Sequence, residues 1–520
     1  MKDANQGEIQ GKSSEVKKEN DFSNWKFIKT TYNEETDKFE KEFKDWQEIY
    51  ELADKAHKEK PNATGYEASE HFEIGNKGFN DFSEGVENAL TQDMEGYLLK
   101  DAEDLLQDKK KKWVFKFTDG LMLQPGHIVA LAGDFYGVIG TPISSEKLYE
   151  EDKEIEARFE DAYNTLCKAD TKEVVKILKI IAQEHRVVEY ARAKGYKPYL
   201  AFSAIGNSGN HKFARVSRYS NFAPSLLSSK YMSLAKDNFD HFGDNARKAF
   251  RAGLNVARKT LDKRANEKDD KIRGKLYKDA FCQLLFACHF LTDLFAAGHM
   301  RTPRRELRAI KGIGATTAGI LAKAMHDEEN KSSLLVRSGG NRDVRKAYGD
   351  KCAFLAEQEP NYKEAIEVVK VVLNQLDEYA EDPESKIEEK DSWDQYIPTP
   401  LTQEECEKLT QEEREKLDNK SYHHPLFKVA KGGEVLCRTG SANLPGNYVQ
   451  LKNPRVYASY LLVTTFFKGK LLKGLTTEEK GQVKDIKKFI KKDGKKAKSI
   501  NFLKKEVSGL KDEVDDCTIL

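Results

Sequence analysis

Cys288-His289-Phe290-Leu291-Thr292-Asp293-Leu294-Phe295-Ala296-Ala297-Gly298-His299-Met300-Arg301 is the stretch whose reading decides the fold. It belongs to an apolar run that reads as one buried helix over about 275–300. Three potential metal ligands, in the order His-x3-Asp-x5-His, are set into a wall of Leu, Phe, Ala and Cys. The i,i+4 spacing stacks His289 and Asp293 on one helix face. His299 follows where Gly298, Thr302 and Pro303 predict the helix end. Charged groups in an apolar helix are costly unless something compensates them, and a metal cluster compensates all three at once. The competing reading is one core His, one buried salt bridge and one helix-terminal His. The joint spacing favours the metal.

A chain of 520 residues can bury a large core and accommodates two or more domains. One third of the residues are charged, and the mean hydropathy of -0.71 describes a soluble protein. The net charge of +1 hides an asymmetry: the last seventy residues are rich in Lys, and the region around 376–416 is acidic. The seven cysteines contain no CxxC and no dense spacing, which predicts reduced thiols rather than a disulfide framework. The N-terminal MKDANQGEIQGKSSEVKKEN has no apolar core, so a Sec-type signal is not expected there. No run of 18 apolar residues exists, so membrane contact is expected to be peripheral.

Residues 1–55 read as a polar N-terminal segment and 56–380 as a mainly helical region without alternating strand patterns. Within it, 65–76 reads as a helix with an early His71, and 126–137 as an apolar segment broken by glycines and ending in Asp134. Residues 148–194 read as two helices, 244–263 as one long helix, 315–325 as a helix delivering His326 at its end, and 361–380 as an amphipathic helix. The acidic stretch 381–398 opens a linker and small C-terminal region of mixed structure reaching 480. There Thr402/Glu405 and Thr410/Glu413 are capping-box signatures. Strand is expected between 432 and 465, at Tyr448–Leu451 and Val456-Tyr457. Residues 481–520 form a Lys-rich tail.

The ordered set His71, Asp134, His241, His289, Asp293, His299 and His326, followed by carboxylates, carries more information than any one histidine. On HFLTDLFAAGH, HFEIGN (71–76), GDFY (133–136), NFDHF (238–242) and MHDEEN (325–330), the chain resembles the zinc-dependent bacterial phospholipase C family, a relative of the S1/P1 nucleases. The likeness is greatest to the larger branch that includes enzymes delivered into host cells by intracellular pathogens. It covers about 64–350.

The resemblance implies a helical phospholipase C/P1-nuclease-like catalytic domain holding two or three Zn²⁺ ions. Asp134, His241, His289 and Asp293 would hold one ion, His71 and Asp293 a second, and His299, His326 and Glu329 a third. Asp134 would orient or deprotonate the water. Arg301 and Arg304 would reach the phosphate or leaving oxygen, unless they cap the helix C-terminus. Two positions depart from the family. The small secreted members use an N-terminal amine as ligand, a corner left here to Glu67 or Glu70. The family's His-x3-Glu falls on Asn330, so Glu328, Glu329 or the Asn330 carbonyl is left for that role. The activity implied is hydrolysis of glycerophospholipids, phosphatidylcholine giving diacylglycerol and phosphocholine. The alternatives are a nuclease or nucleotidase on the same scaffold, and a non-enzymatic, membrane-anchored interaction protein.

The chain closes with Cys517-Thr518-Ile519-Leu520, the CaaX form read by geranylgeranyl transferases, so a host prenyltransferase is an expected partner and Cys517 a lipidation site. The lysines of 484–498 would supply the second membrane signal. Prenylation is eukaryotic. Together with the missing Sec signal, it predicts a bacterial type IV-secreted effector acting at a host phospholipid membrane. Nucleic acid is not an expected partner: only Phe489 and Phe502 offer stacking surfaces in the basic stretch.

Overall fold

The central helix starts where Asp269 accepts the N–H groups of Lys271 (2.9 Å) and Ile272 (3.1 Å), a side-chain cap satisfying two orphan donors. From Tyr277 on, all residues but Asp279 and Gln283 are buried, Phe281, Leu284, Phe286, Cys288 and Leu291 completely. A helix buried on all sides has to lie at the centre of a domain. In the computed structural model it does. The described residues are 68–99, 113–117, 121–144, 151–205, 212–213, 216, 230–236, 239–339, 343–349, 352–353, 355, 359–383, 393–443, 448–467 and 475–507.

In chain order these are α1 (Ala68–Asp93), β1 (Leu98–Leu99), β2 (Val114–Lys116), β3 (Met122–Leu123), α2 (Pro125–Leu131), α3 (Asp152–Cys167), α4 (Thr171–Ala193) and α5 (Tyr199–Ile205). Then come α6 (Lys230–Lys236), α7 (Gly243–Ala265), the central α8 (Asp270–Asp293), α9 (Ala297–Met300), α10 (Arg304–Ala309) and α11 (Gly314–Ser332). They are followed by β4 (Leu334–Arg337), β5 (Val344–Ala347), α12 (Glu359–Glu381), a 3₁₀ turn (Trp393–Tyr396), β6 (Thr399–Pro400), α13 (Gln403–Glu407) and α14 (Gln411–Lys416). The last are β7 (Phe427–Val429), β8 (Val435–Arg438), β9 (Tyr448–Gln450), α15 (Pro454–Phe467) and α16 (Thr477–Val507). The fold is mainly α, as expected.

α8 packs along α7 and is enclosed further by α1, α2 and α12. α2 can lie close to α1 because residue 126 is glycine: a Cβ there would meet the Phe72 carbonyl oxygen at 2.0 Å. Asn76 of α1 holds this junction, accepting the Gly126 N–H at 2.8 Å and donating to Gln124 at 3.1 Å.

Several boundaries differ from the sequence reading. α8 stops at Asp293, and the chain turns through Leu294–Ala296 before α9 carries His299. The expected continuous helix over 275–300 is therefore two. α11 runs on to Ser332, so His326 lies inside it rather than at its end. The region 56–380 contains short strands: β1-β2-β3 and β5-β4-β6 are antiparallel sheets, the second closed by β6 through Val336↔Pro400. Strands of two to four residues are too short to show alternation. Tyr448–Gln450 is a strand paired with β8, but Val456-Tyr457 lies in α15, which Pro454 opens at a position where its missing N–H costs nothing.

The chain after 380 folds back onto the helices. Trp393 packs edge-on against Phe250 of α7 at 4.6 Å, and Leu401, Cys406, Leu409 and Leu417 cluster with Leu335 of β4. Both capping boxes form, with the Glu405 and Glu413 N–H groups each 3.2 Å from the threonine hydroxyl. The first half of α16 docks on α4 and α5 through Val483 and Ile486, with Phe489 stacked on Tyr190 at 4.1 Å. Among the described residues no helix is long and apolar enough to cross a membrane, and the six described cysteines form no disulfide. Glu67 and Cys517 lie outside the described residues.

Candidate metal centre

Asp293 is the last residue of α8 and is 1% exposed. Four imidazoles surround its carboxylate. His241 Nδ1 lies 2.7 Å and His289 Nε2 3.6 Å from Oδ2, while His299 Nδ1 lies 3.0 Å and His71 Nε2 3.5 Å from Oδ1. They come from α1, the turn before α7, α8 itself and α9. The C-terminal end of a helix is electronegative, which favours cationic groups at this place. Among the described residues neither oxygen of Asp293 receives a hydrogen bond of good geometry, and neither does His241 Nε2. Buried polar atoms are almost always partnered. Nitrogens crowding a carboxylate outside hydrogen-bond geometry are what a cation between them would resolve.

Among the described residues three groups have ligand atoms mutually within 4.8 Å; two of them, His71, His289 and Asp293, and Asp134, His241 and His289, meet at this centre, and the third is Glu73, His185 and Glu189. His289 belongs to both groups of the centre. The surroundings select tautomers. His289 Nδ1 lies 2.9 Å from the Val129 carbonyl, which can only accept, so Nδ1 carries the proton and Nε2 faces Asp293. The Thr292 hydroxyl gives its single proton to the carbonyls of Cys288 and His289, so it accepts from His71 Nδ1 at 2.8 Å and leaves Nε2 toward Asp293. Backbone and hydroxyl groups of this kind orient imidazole ligands in metal sites.

Backbone shape brings the elements together. Asp134 follows Gly133, which has φ +65; a Cβ at 133 would lie 2.7 Å from both His241 Cε1 and His289 Cδ2. Asp240, buried beside His241, accepts the N–H groups of Ile143 (2.7 Å) and Ser144 (2.8 Å) and fixes the turn carrying the imidazole.

Electrostatics follow from burial and neighbours. Burial opposes the charged form of His241, but Asp293, Asp134 and Asp240 outweigh it and hold its pKa above the ordinary value. Burial and the adjacent His71 push His289 well below its ordinary value. Burial also opposes ionisation of Asp293, yet His241, His299 and His289 overcome it and keep the carboxyl well below the usual range.

The third expected group does not assemble in the form the sequence suggested. The His326 ring lies 4.9 Å from the His299 ring, but its Nδ1 lies 3.0 Å from Asp327 and its Nε2 3.1 Å from the Asn330 amide. The Asn330 carbonyl accepts the Gly298 N–H, so it serves the α9–α11 junction. Glu329 is fully buried and receives Arg301 Nε at 2.9 Å; burial pushes its carboxyl up to about 7 despite that cation. Arg301 is thus directed to Glu329, the Tyr422 hydroxyl (3.2 Å) and the His423 carbonyl rather than toward Asp293. Arg304 donates to the Ala235 carbonyl and lies over Phe242. The Glu70 carboxylate accepts the Ala353 N–H at 3.0 Å. Glu328 is tied to Arg438, one of the largest fully buried side chains among the described residues.

The sequence reading did not find Thr292, Val129, Gly133 as a close-approach glycine, or the clamp of Glu328 with Arg438. Gly133-Asp134 and Thr292-Asp293 are adjacent pairs, and that adjacency was the one visible signal. Comparison with protein-family models, curated proteins and solved structures found no match.

Proposed function

We propose that the chain is a zinc-dependent phosphodiester hydrolase of the phospholipase C type, acting on glycerophospholipids. The observation that carries this reading is the convergence of His71, Asp134, His241 and His289 with the buried carboxylate of Asp293. Imidazole and carboxylate donors suit Zn²⁺, and the two oxygens of one carboxylate can serve two ions. When bound, zinc supplies Lewis acidity toward a phosphoryl oxygen and toward water. The protein's own groups do the rest. Asp134 is partly exposed, unlike the sealed Asp293, so it is the carboxylate in contact with solvent that can accept a proton. Val129 and Thr292 hold His289 and His71 in one tautomer throughout. The third ion of the resemblance is left out of this reading, because His326 and Glu329 are engaged elsewhere.

A membrane surface fits the same reading. Lys484, Lys487, Lys488, Lys491 and Lys492 are exposed on α16 while its apolar face is docked. Such a face attracts anionic lipid in a salt-dependent way.

The test is a direct comparison of the zinc-loaded protein on glycerophospholipid micelles and on single-stranded DNA. Diacylglycerol release that strong chelators abolish supports the reading. Cleavage of DNA alone assigns the scaffold to a nuclease, and activity on neither assigns it to a non-enzymatic role.

A further inference from the structure

A cavity of about 700 Å³ adjoins the centre. Its wall includes Phe242, Leu294 and Met300-Arg301, the residues that directly follow His241, Asp293 and His299 in sequence. The Phe242 ring lies 4.8 Å from the His299 ring, so one aromatic side chain separates the cavity from the imidazoles. The lining also includes Ile397–Pro400, leading into β6.

The lining is rich in cations: Arg247, Lys248 and Arg251 belong to the first turns of α7, and Arg301 and Arg305 to the chain around α9 and α10. Arg247 pairs with Asp394 and Arg301 with Glu329. Lys248 and Arg251 have no carboxylate partner among the described residues. Burial lowers the Arg247 pKa; the neighbouring Asp244 opposes this and Arg251 adds to it by repulsion. The two carboxylates of the lining, Asp244 and Glu306, are exposed. Clefts lined by one sign of charge concentrate ligands of the other sign, and guanidinium groups match phosphate in geometry. Among the described residues Phe242 is the only aromatic one of the lining, and it is itself buried. The described residues form neither an aromatic cage for choline nor a stacking surface for nucleobases there.

We propose that this cavity receives a second anionic group of the substrate, a phosphate on a lipid head group. This rests on the phosphodiesterase reading and sharpens it: phosphorylated head groups are preferred over phosphocholine.

The experiment uses the full-length, zinc-loaded protein and the variant Lys248→Gln/Arg251→Gln. Inositol 1,4-bisphosphate, phosphocholine and a single-stranded oligonucleotide are titrated calorimetrically, and hydrolysis of bis(p-nitrophenyl) phosphate is followed in parallel. The expected result is that inositol bisphosphate binds at least about tenfold tighter than phosphocholine, that the variant loses this preference, and that its hydrolysis of the small diester stays within about twofold, because neither residue touches the centre. Equal binding of the two head groups, or an unchanged preference in the variant, overturns the proposal. Displacement of inositol bisphosphate by the oligonucleotide at equal phosphate concentration overturns its lipid part. If neither protein hydrolyses the small diester, the phosphodiesterase reading fails while the binding comparison still decides the cavity.

Discussion

The Thr292 hydroxyl and His71 Nδ1 meet at 2.8 Å across 221 residues of sequence. The hydroxyl proton is committed to the α8 backbone, so the contact fixes which nitrogen of His71 is protonated. Thr292→Val should therefore leave the fold intact and weaken metal binding. Loss of an outer partner typically costs a metal site about 10–100-fold in affinity. A competition titration with a chromogenic chelator measures it, and an unchanged affinity would assign Thr292 to packing alone.

Gly133→Ala should be more damaging than its size suggests. The residue has φ +65, and its new methyl group would meet His241 and His289 at 2.7 Å. Strain of this backbone kind costs on the order of 1–3 kcal/mol, and displaced imidazoles would lower zinc content as well. Denaturation midpoints and metal analysis of the same preparation separate the two effects.

Arg438 and Glu328 form a buried pair that ties β8 to α11, the helix carrying His326. Removing one partner of such a pair typically costs about 3–5 kcal/mol, because the other charge stays buried and unpaired. Arg438→Met and Glu328→Gln should each destabilise strongly, and the double variant by less than the sum of the two. A double-mutant cycle by chemical denaturation tests this; additive losses would show that the two side chains do not interact.

His423 is 2% exposed, and burial pushes its pKa down to about 4, although Glu328 opposes this. The unfolded chain then binds a proton that the folded chain refuses. Stability contributed here is complete above the ordinary value of 6.5 and is lost as pH falls from 6.5 through about 4. The full effect is on the order of 3 kcal/mol. His423→Gln should flatten the pH dependence of unfolding between pH 7 and 4 relative to the parent protein. Parallel slopes would show that His423 does not titrate in this window.

Much of the centre was legible because its ligands are rare residue types set against apolar helix segments. His71, Asp134, His241, His289, Asp293 and His299 do converge. What was not legible depended on tertiary direction. His326 shares the helix spacing of a ligand, but its nitrogens face Asp327 and Asn330. Arg301 follows His299, yet its guanidinium turns to Glu329 and the chain at 422–423. The end of α8 at Asp293 carries no Gly or Pro, so nothing local announces it. The return of Thr399-Pro400 to β4 is a two-residue pairing that no alternation pattern can reveal.

The most direct test of the account is the zinc content of the full-length protein after zinc-supplemented expression and desalting, measured beside Asp293→Asn. A carboxylate ringed by four imidazoles should hold at least two zinc ions per chain, and the neutral amide should reduce this to less than one while helical content is retained. Less than about one zinc per parent chain, or the same zinc content in a folded Asp293→Asn protein, would contradict it.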